Sequence, residues 1–172
     1  MRNVFLVGFM GAGKTSVGEV LAARLDFEFV DLDRRLNERF DASTSEIFAQ
    51  HGEAVFRAAE SDELTRCAAE SDVVVATGGG AFCSEENRQI IHASGGLSVF
   101  LDLPWEALGA RLAGDHGGRP KYGDAAEARR LFESRLPDYR RAMRVVGLAG
   151  SESAAAAADL VLAVLEEAPC AT

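Results

Sequence analysis

GFMGAGKT, residues 8–15, has the form G-x-x-x-x-G-K-[ST]. An apolar run of Val4, Phe5, Leu6 and Val7 precedes it, and a helical pattern of Val17, Leu21 and Leu25 follows. A strand, a glycine-rich turn and a helix in that order make a phosphate-binding loop. Glycine lets successive backbone N–H groups turn inward onto phosphate oxygens, and the helix adds the positive end of its dipole. Lys14 is placed to reach the β- and γ-phosphates of a nucleotide, and the Thr15 hydroxyl to ligate Mg²⁺. An ordinary glycine-rich turn is the alternative reading. The full motif in strand–loop–helix context argues against it.

Outward from this loop, strand and helix signals alternate. Residues 3–7, 27–30, 73–77, 97–101 and 145–148 read as five strands. Helical patterns cover residues 14–25, 34–40, 44–50, 53–70 and 85–93. They resume from Pro104 to Leu112, over 125–143 with a kink or break at Pro137, and over 152–167. Ser43 and Glu46 have capping-box spacing. Alternation of this kind predicts right-handed βαβ units: one α/β domain of the P-loop NTPase fold, residues 1–172. Its central five-stranded parallel sheet has helices on both faces. Residues 115–124 (DHGGRPKYGD) break the periodicity and carry Arg119 and Lys121. A polar, glycine-rich stretch of this length predicts a mobile lid, with a plain surface loop as the other reading.

Composition narrows the partners. The 172-residue chain is 48% hydrophobic with a net charge of −9. That charge argues against nucleic acid or an anionic membrane as the main partner. It leaves nucleotide binding open, because a small anion needs only local donors. Three cysteines (Cys67, Cys83, Cys170) lack metal-ligand spacing, and three histidines (His51, His92, His116) form no metal constellation. No apolar run is long enough for a bilayer, and no signal-peptide pattern opens the chain. The expectation is a reduced, cytoplasmic protein, with monomer as the default state.

A parallel sheet binds ligands beyond the carboxyl ends of its strands. The phosphate loop, the pair Asp31 and Asp33, and Gly78-Gly79-Gly80 each follow a predicted strand, so they should gather on one edge. In extended chain, residues two apart point to the same side. One carboxylate would then serve the Mg²⁺ shell while the other takes the proton of an acceptor hydroxyl. A solvated acidic turn is the competing reading. Three consecutive glycines suggest a substrate ring lying against bare backbone. Arg57 and Arg135 offer planar forks suited to a carboxylate. Spacing alone does not bring them to the cleft.

Taken together the motifs resemble those of the shikimate kinase family over nearly the whole chain. The matching pieces are GFMGAGKTSVG (8–18), VDLD (30–33), IFAQHGEAVFR (47–57), TGGGA (77–81), GRP (118–120) and RLPDYRRA (135–142). The resemblance implies an ATP-dependent phosphorylation of the shikimate 3-hydroxyl with Mg²⁺ as cofactor. It implies nucleotide contacts from Gly11, Ala12, Gly13, Lys14, Thr15 and Ser16, and metal support from Thr15 and Asp31. Asp33 resembles the acceptor-binding aspartate and candidate base. Arg57 and Arg135 resemble the carboxylate grip, Gly79 and Gly80 backbone contacts to substrate, and Phe48 and Phe56 its apolar wall. Arg119 resembles a lid arginine that moves onto the phosphates, and Arg111 a residue flanking the adenine. Lys14, Asp33 and Arg119 would be the catalytic set.

The chain departs from the family pattern in three places. Lys121 and Tyr122 stand where two leucines are common, the segment before Arg119 is slightly long, and the loop around Gly150 and Ser151 is rich in small residues. Two other functions fit the same phosphate loop. One is another small-molecule kinase, such as a gluconate kinase. The other is a catalytically silent nucleotide-binding regulatory protein.

Overall fold

A computed structural model describes residues 3–114 and 125–166. Five parallel strands stand in the order β2-β3-β1-β4-β5. They are β1 (Val4–Val7), β2 (Glu28–Asp31), β3 (Val73–Ala76), β4 (Leu97–Asp102) and β5 (Arg144–Gly147). Between them run α1 (Lys14–Leu25), α2 (Leu32–Phe40), α3 (Thr44–Ala69), α4 (Glu85–Ala93), α5 (Trp105–Gly114) and α6 (Ala125–Tyr139), with α7 (Ala154–Glu166) last. A single 3-10 turn, Ala81–Cys83, joins the triple glycine to α4. Every residue of β1 and β3 is buried. Successive strand residues face opposite sides, so both faces of the sheet are covered. The α/β P-loop architecture expected from the sequence is the one formed.

The register positions the loops. Val4, Phe5 and Leu6 of β1 pair with Val74, Val75 and Ala76 of β3. Asp31 at the end of β2 pairs with Ala76. The loop after β1, the carboxylates after β2 and the glycines after β3 therefore leave the sheet at one height. Thr77 locks this edge: its backbone N–H and its hydroxyl both donate to the Leu6 carbonyl, at 3.1 and 2.9 Å.

Two local expectations need correction. β2 ends at Asp31, and α2 begins at Leu32 with Asp31 as its N-cap, accepting from the Arg34 N–H at 3.1 Å. Asp31 and Asp33 thus straddle a strand–helix junction rather than sharing one extended segment. Strand alternation does not explain their common side. Helix α6 stops at Tyr139, not at 143, and Pro137 sits in its final turn. The two helical segments expected at 44–50 and 53–70 are both present and meet end to end within α3, separated by a non-helical residue. Gly52 adopts φ 82° and ψ 165° at the bend. Nothing lies within 4 Å of where its Cβ would stand, so the backbone angle rather than space calls for glycine there. The expected lid, with Arg119, Lys121 and Tyr122, lies outside the described residues.

A second, smaller core forms where α2 packs on α3, from Leu36, Ile47, Phe56 and Ala59 with Phe48 against them. It holds α3 against α2 and depends on α3 starting where it does. The capping box is formed: the Ser43 N–H donates to Glu46 Oε2 at 2.8 Å, and the Glu46 N–H to Ser43 Oγ at 3.4 Å. Ser43→Ala should lower stability by about 1 kcal/mol, seen as a melting temperature about 3 °C lower in calorimetry. An unchanged melting temperature would mean that the box contributes nothing.

Candidate active site

The turn from β1 into α1 is built by left-handed backbone. Gly11 has φ +76°, and Gly13, the N-cap of α1, has φ +90° with no side-chain cap. The N–H groups of the first helical turn therefore have no intrahelical acceptor and open outward. They border a cavity of about 630 Å³ lined by Gly11, Gly13, Lys14, Thr15, Ser16, Asp31, Asp33, Thr77 and Arg111. Ala12 is buried beneath the loop.

The Lys14 ammonium donates to the carbonyls of Gly8 and Phe9, at 2.8 and 2.9 Å. The residue as a whole is only half-buried. Its ammonium is nevertheless enclosed beneath the loop, and that burial lowers its pKa from 10.5 to about 8, against the opposing pull of Asp33 and Asp31. The Thr15 hydroxyl donates to Asp31 Oδ2 at 2.7 Å. These two hard oxygen donors suit a magnesium ion that takes its other ligands from water and phosphate. Among the described residues no cluster of three His, Cys, Asp or Glu side chains exists to hold a metal by protein ligands alone.

A second group of side chains adjoins this cavity. Arg57 on α3 donates to Glu60 Oε2 at 2.7 Å and to Glu53 Oε1 at 3.3 Å. Its guanidinium also lies near the rings of Phe56 (5.4 Å) and Phe48 (5.9 Å), which stack on each other at 4.5 Å. Glu60 is 1% exposed. Burial pushes its carboxyl above the usual range, while Arg57 pulls it down and Asp33 adds to the rise. Its Oε1 has no hydrogen-bond partner among the described residues. Glu60 escaped the sequence reading, although its R-x-x-E spacing from Arg57 puts both on one helix face.

The triple glycine is where the two groups meet. A Cβ on Gly78 would stand 2.5 Å from Glu60 Oε1 and 2.9 Å from Asp33 Oδ1. A Cβ on Gly80 would stand 2.7 Å from the Arg57 guanidinium. A side chain at either position would push these carboxylates or this guanidinium out of place. Gly79 differs, since its nearest neighbours lie at ordinary contact distance: Met10 N at 3.6 Å and Arg135 Nη1 at 3.8 Å. Arg135 on α6 donates to the Gly79 carbonyl at 3.2 Å. So Arg57, Asp33, Glu60 and Arg135 all converge on this glycine run.

Arg111 on α5 bridges two loops, donating to the Gly11 carbonyl at 2.9 Å and the Gly150 carbonyl at 2.8 Å. The Gly150 loop is tied down by Glu152, whose carboxylate accepts from the N–H groups of Ala149 and Gly150 and is held below the usual range by those bonds. A Cβ on Gly150 would lie 2.4 Å from Ala107 Cβ, which accounts for the small residue in this departure from the family pattern.

Comparison with known proteins agrees with this layout. The shikimate kinase family model matches residues 10–166. A curated shikimate kinase of Nostoc punctiforme is 43% identical over 143 residues, covering 81% of this chain and 77% of the relative. A shikimate kinase from Acinetobacter baumannii, solved in complex with shikimate, superposes with a TM-score of 0.83 at 34% identity, covering 96% of this chain and 92% of that one. A gluconokinase from Sinorhizobium meliloti superposes with a TM-score of 0.59 at 19% identity, covering 95% and 91%, which shows the shared fold alone.

The depressed Lys14 pKa has a measurable consequence. Phosphate charge favours the ammonium form, so nucleotide binding above pH 8 must take up a proton. Affinity for ATP should be level between pH 7 and about 7.5, then weaken by up to about tenfold per pH unit beyond 8. Titration calorimetry in two buffers of different ionisation enthalpy checks both the affinity and the proton count. A flat affinity up to pH 9.5 would contradict the enclosed-ammonium picture.

Proposed function

The chain belongs to the shikimate kinase family, and on that premise we propose that it moves the γ-phosphoryl group of ATP to the 3-hydroxyl of shikimate, yielding shikimate 3-phosphate and ADP. The observation that carries the residue assignments is the convergence on Gly78–Gly80. Asp33 borders both that run and the cavity of Lys14, and two guanidinium groups approach the same glycines.

In this reading Gly11, Ala12, Gly13, Lys14, Thr15 and Ser16 cradle the phosphates. Thr15 and Asp31 hold Mg²⁺, which when bound neutralises phosphate charge. Arg57 and Arg135 grip the shikimate carboxylate, a task for which a bidentate fork is suited. Phe48 and Phe56 back the apolar face of the ring, and Gly79 and Gly80 offer backbone contacts. Arg111 flanks the adenine, and Arg119 meets the transferring group from the expected lid. Asp33 orients the 3-hydroxyl and accepts its proton as phosphoryl transfer proceeds. Most of the rate then comes from positioning and charge stabilisation in a site closed to water. A monomer in the cytoplasm completes the proposal.

A coupled ADP-release assay with shikimate, quinate, gluconate and a nucleoside monophosphate tests the acceptor. Turnover is expected with shikimate. Preference for gluconate would move the chain to another kinase specificity, and ATP binding without turnover of any acceptor would support a silent regulator. Asp33→Asn should lower kcat at least ~100-fold. Near-wild-type turnover in that variant removes Asp33 from the mechanism. Arg135→Ala should raise the KM for shikimate while leaving that for ATP in place. The opposite pattern would reassign Arg135 to the nucleotide.

A further inference from the structure

Tyr139 is the last residue of α6 and is fully buried. Its ring stacks on Phe100 of β4, centroids 5.3 Å apart at 29°. Its hydroxyl donates to the carbonyl of Gly79. Arg135, one helical turn earlier, donates to the same oxygen at 3.2 Å. Two donors from one helix face therefore occupy a single carbonyl, the one at the middle of the triple glycine.

The consequence lies in the next peptide group. All described peptide bonds are trans. In a trans peptide the C=O and the following N–H point in opposite directions. Holding the Gly79 carbonyl toward α6 turns the Gly80 N–H away from it, and that N–H has no acceptor among the described residues. Gly79 also lies against the phosphate loop, with Met10 N at 3.6 Å and Gly8 O at 4.0 Å from the position of a Cβ.

The two donors are not equivalent. Arg135 is a long side chain, half-buried, with further donors that a carboxylate ligand would engage. Tyr139 is fully buried and packed on Phe100, and its ring leaves the hydroxyl no other direction than toward the Gly79 carbonyl it already meets. We propose that Tyr139 is a positioning residue for the acceptor: it holds the Gly79–Gly80 peptide in place and so releases Arg135 to bind the acceptor's carboxylate. This rests on the functional reading above.

Without the hydroxyl, Arg135 becomes the sole donor to Gly79 from α6, and carbonyl and carboxylate compete for it. Tyr139→Phe keeps the ring stack, and the carbonyl keeps Arg135, so the fold should hold. The KM for shikimate should rise about three- to tenfold, the worth of one net hydrogen bond. The KM for ATP and kcat should stay within about twofold. Phe100→Leu is the structural control: it loosens the same ring without touching the hydroxyl, and should lower the melting temperature while leaving the shikimate KM within about twofold.

An active Tyr139→Phe enzyme with an unaltered shikimate KM overturns the inference. So does a rise in both KM values together, an equal rise in Phe100→Leu, or a Tyr139→Phe chain that does not fold. Each would assign the residue to stability alone. A wild-type protein inactive on shikimate would strike the functional reading instead, which keeps the two failures apart.

Discussion

The parallel pairing of β1 with β3 is the constraint on which the site depends. The two strands run in register from Val4 and Val74 to Leu6 and Ala76. Thr77 closes the pair by placing two donors on the Leu6 carbonyl. Gly8 and Gly78 consequently emerge side by side, and the phosphate loop begins where the glycine run begins. A one-residue slip would turn every strand side chain to the opposite face and force both close-packed layers of the core to repack around different volumes. Burial of β1 and β3 on both faces thus fixes a distance on which phosphoryl transfer between two ligands would depend.

Charge is handled locally rather than by the protein as a whole. The chain is acidic overall, yet Lys14, Arg57, Arg111 and Arg135 are gathered around one sheet edge. Each is braced by carbonyls or carboxylates: Lys14 by the loop it belongs to, Arg57 by Glu53 and Glu60, Arg111 by Gly11 and Gly150. Bracing reduces the conformational entropy that a long side chain would lose on gripping an anion. Burial raises the cost of each isolated charge, and this is why the Lys14 ammonium and the Glu60 carboxyl are both pushed toward their neutral forms.

Much of this was legible in the residues. The phosphate loop announces itself because its chemistry is local: glycine angles, a lysine and a hydroxyl lie within eight consecutive positions. The inner strands β3, β1 and β4 were legible because a sheet covered on both faces needs continuous apolar runs there, while the edge strands β2 and β5 are shorter of apolar residues and only partly buried. Asp31 and Asp33 were found for a reason that did not hold, since a helix cap rather than strand alternation brings them to one cavity. The glycine run was read as room for a substrate ring, and what stands against Gly78 and Gly80 in the fold is carboxylates and a guanidinium of this chain. Glu60 stayed hidden because its meaning comes from burial, and Tyr139 because its partner is sixty residues away on another element.

Sequence by itself determined the α/β class, the phosphate loop and, through the motif resemblance, the family. Such features depend on short-range backbone geometry and on patterns that a few neighbouring residues carry whole. Only the tertiary structure decided that Arg57, Glu60, Asp33 and Arg135 meet at one run of glycines, and that Tyr139 shares a carbonyl with Arg135. Those meetings join helices far apart in the chain, and their distances come from how α3 and α6 pack on the sheet, which no local pattern encodes.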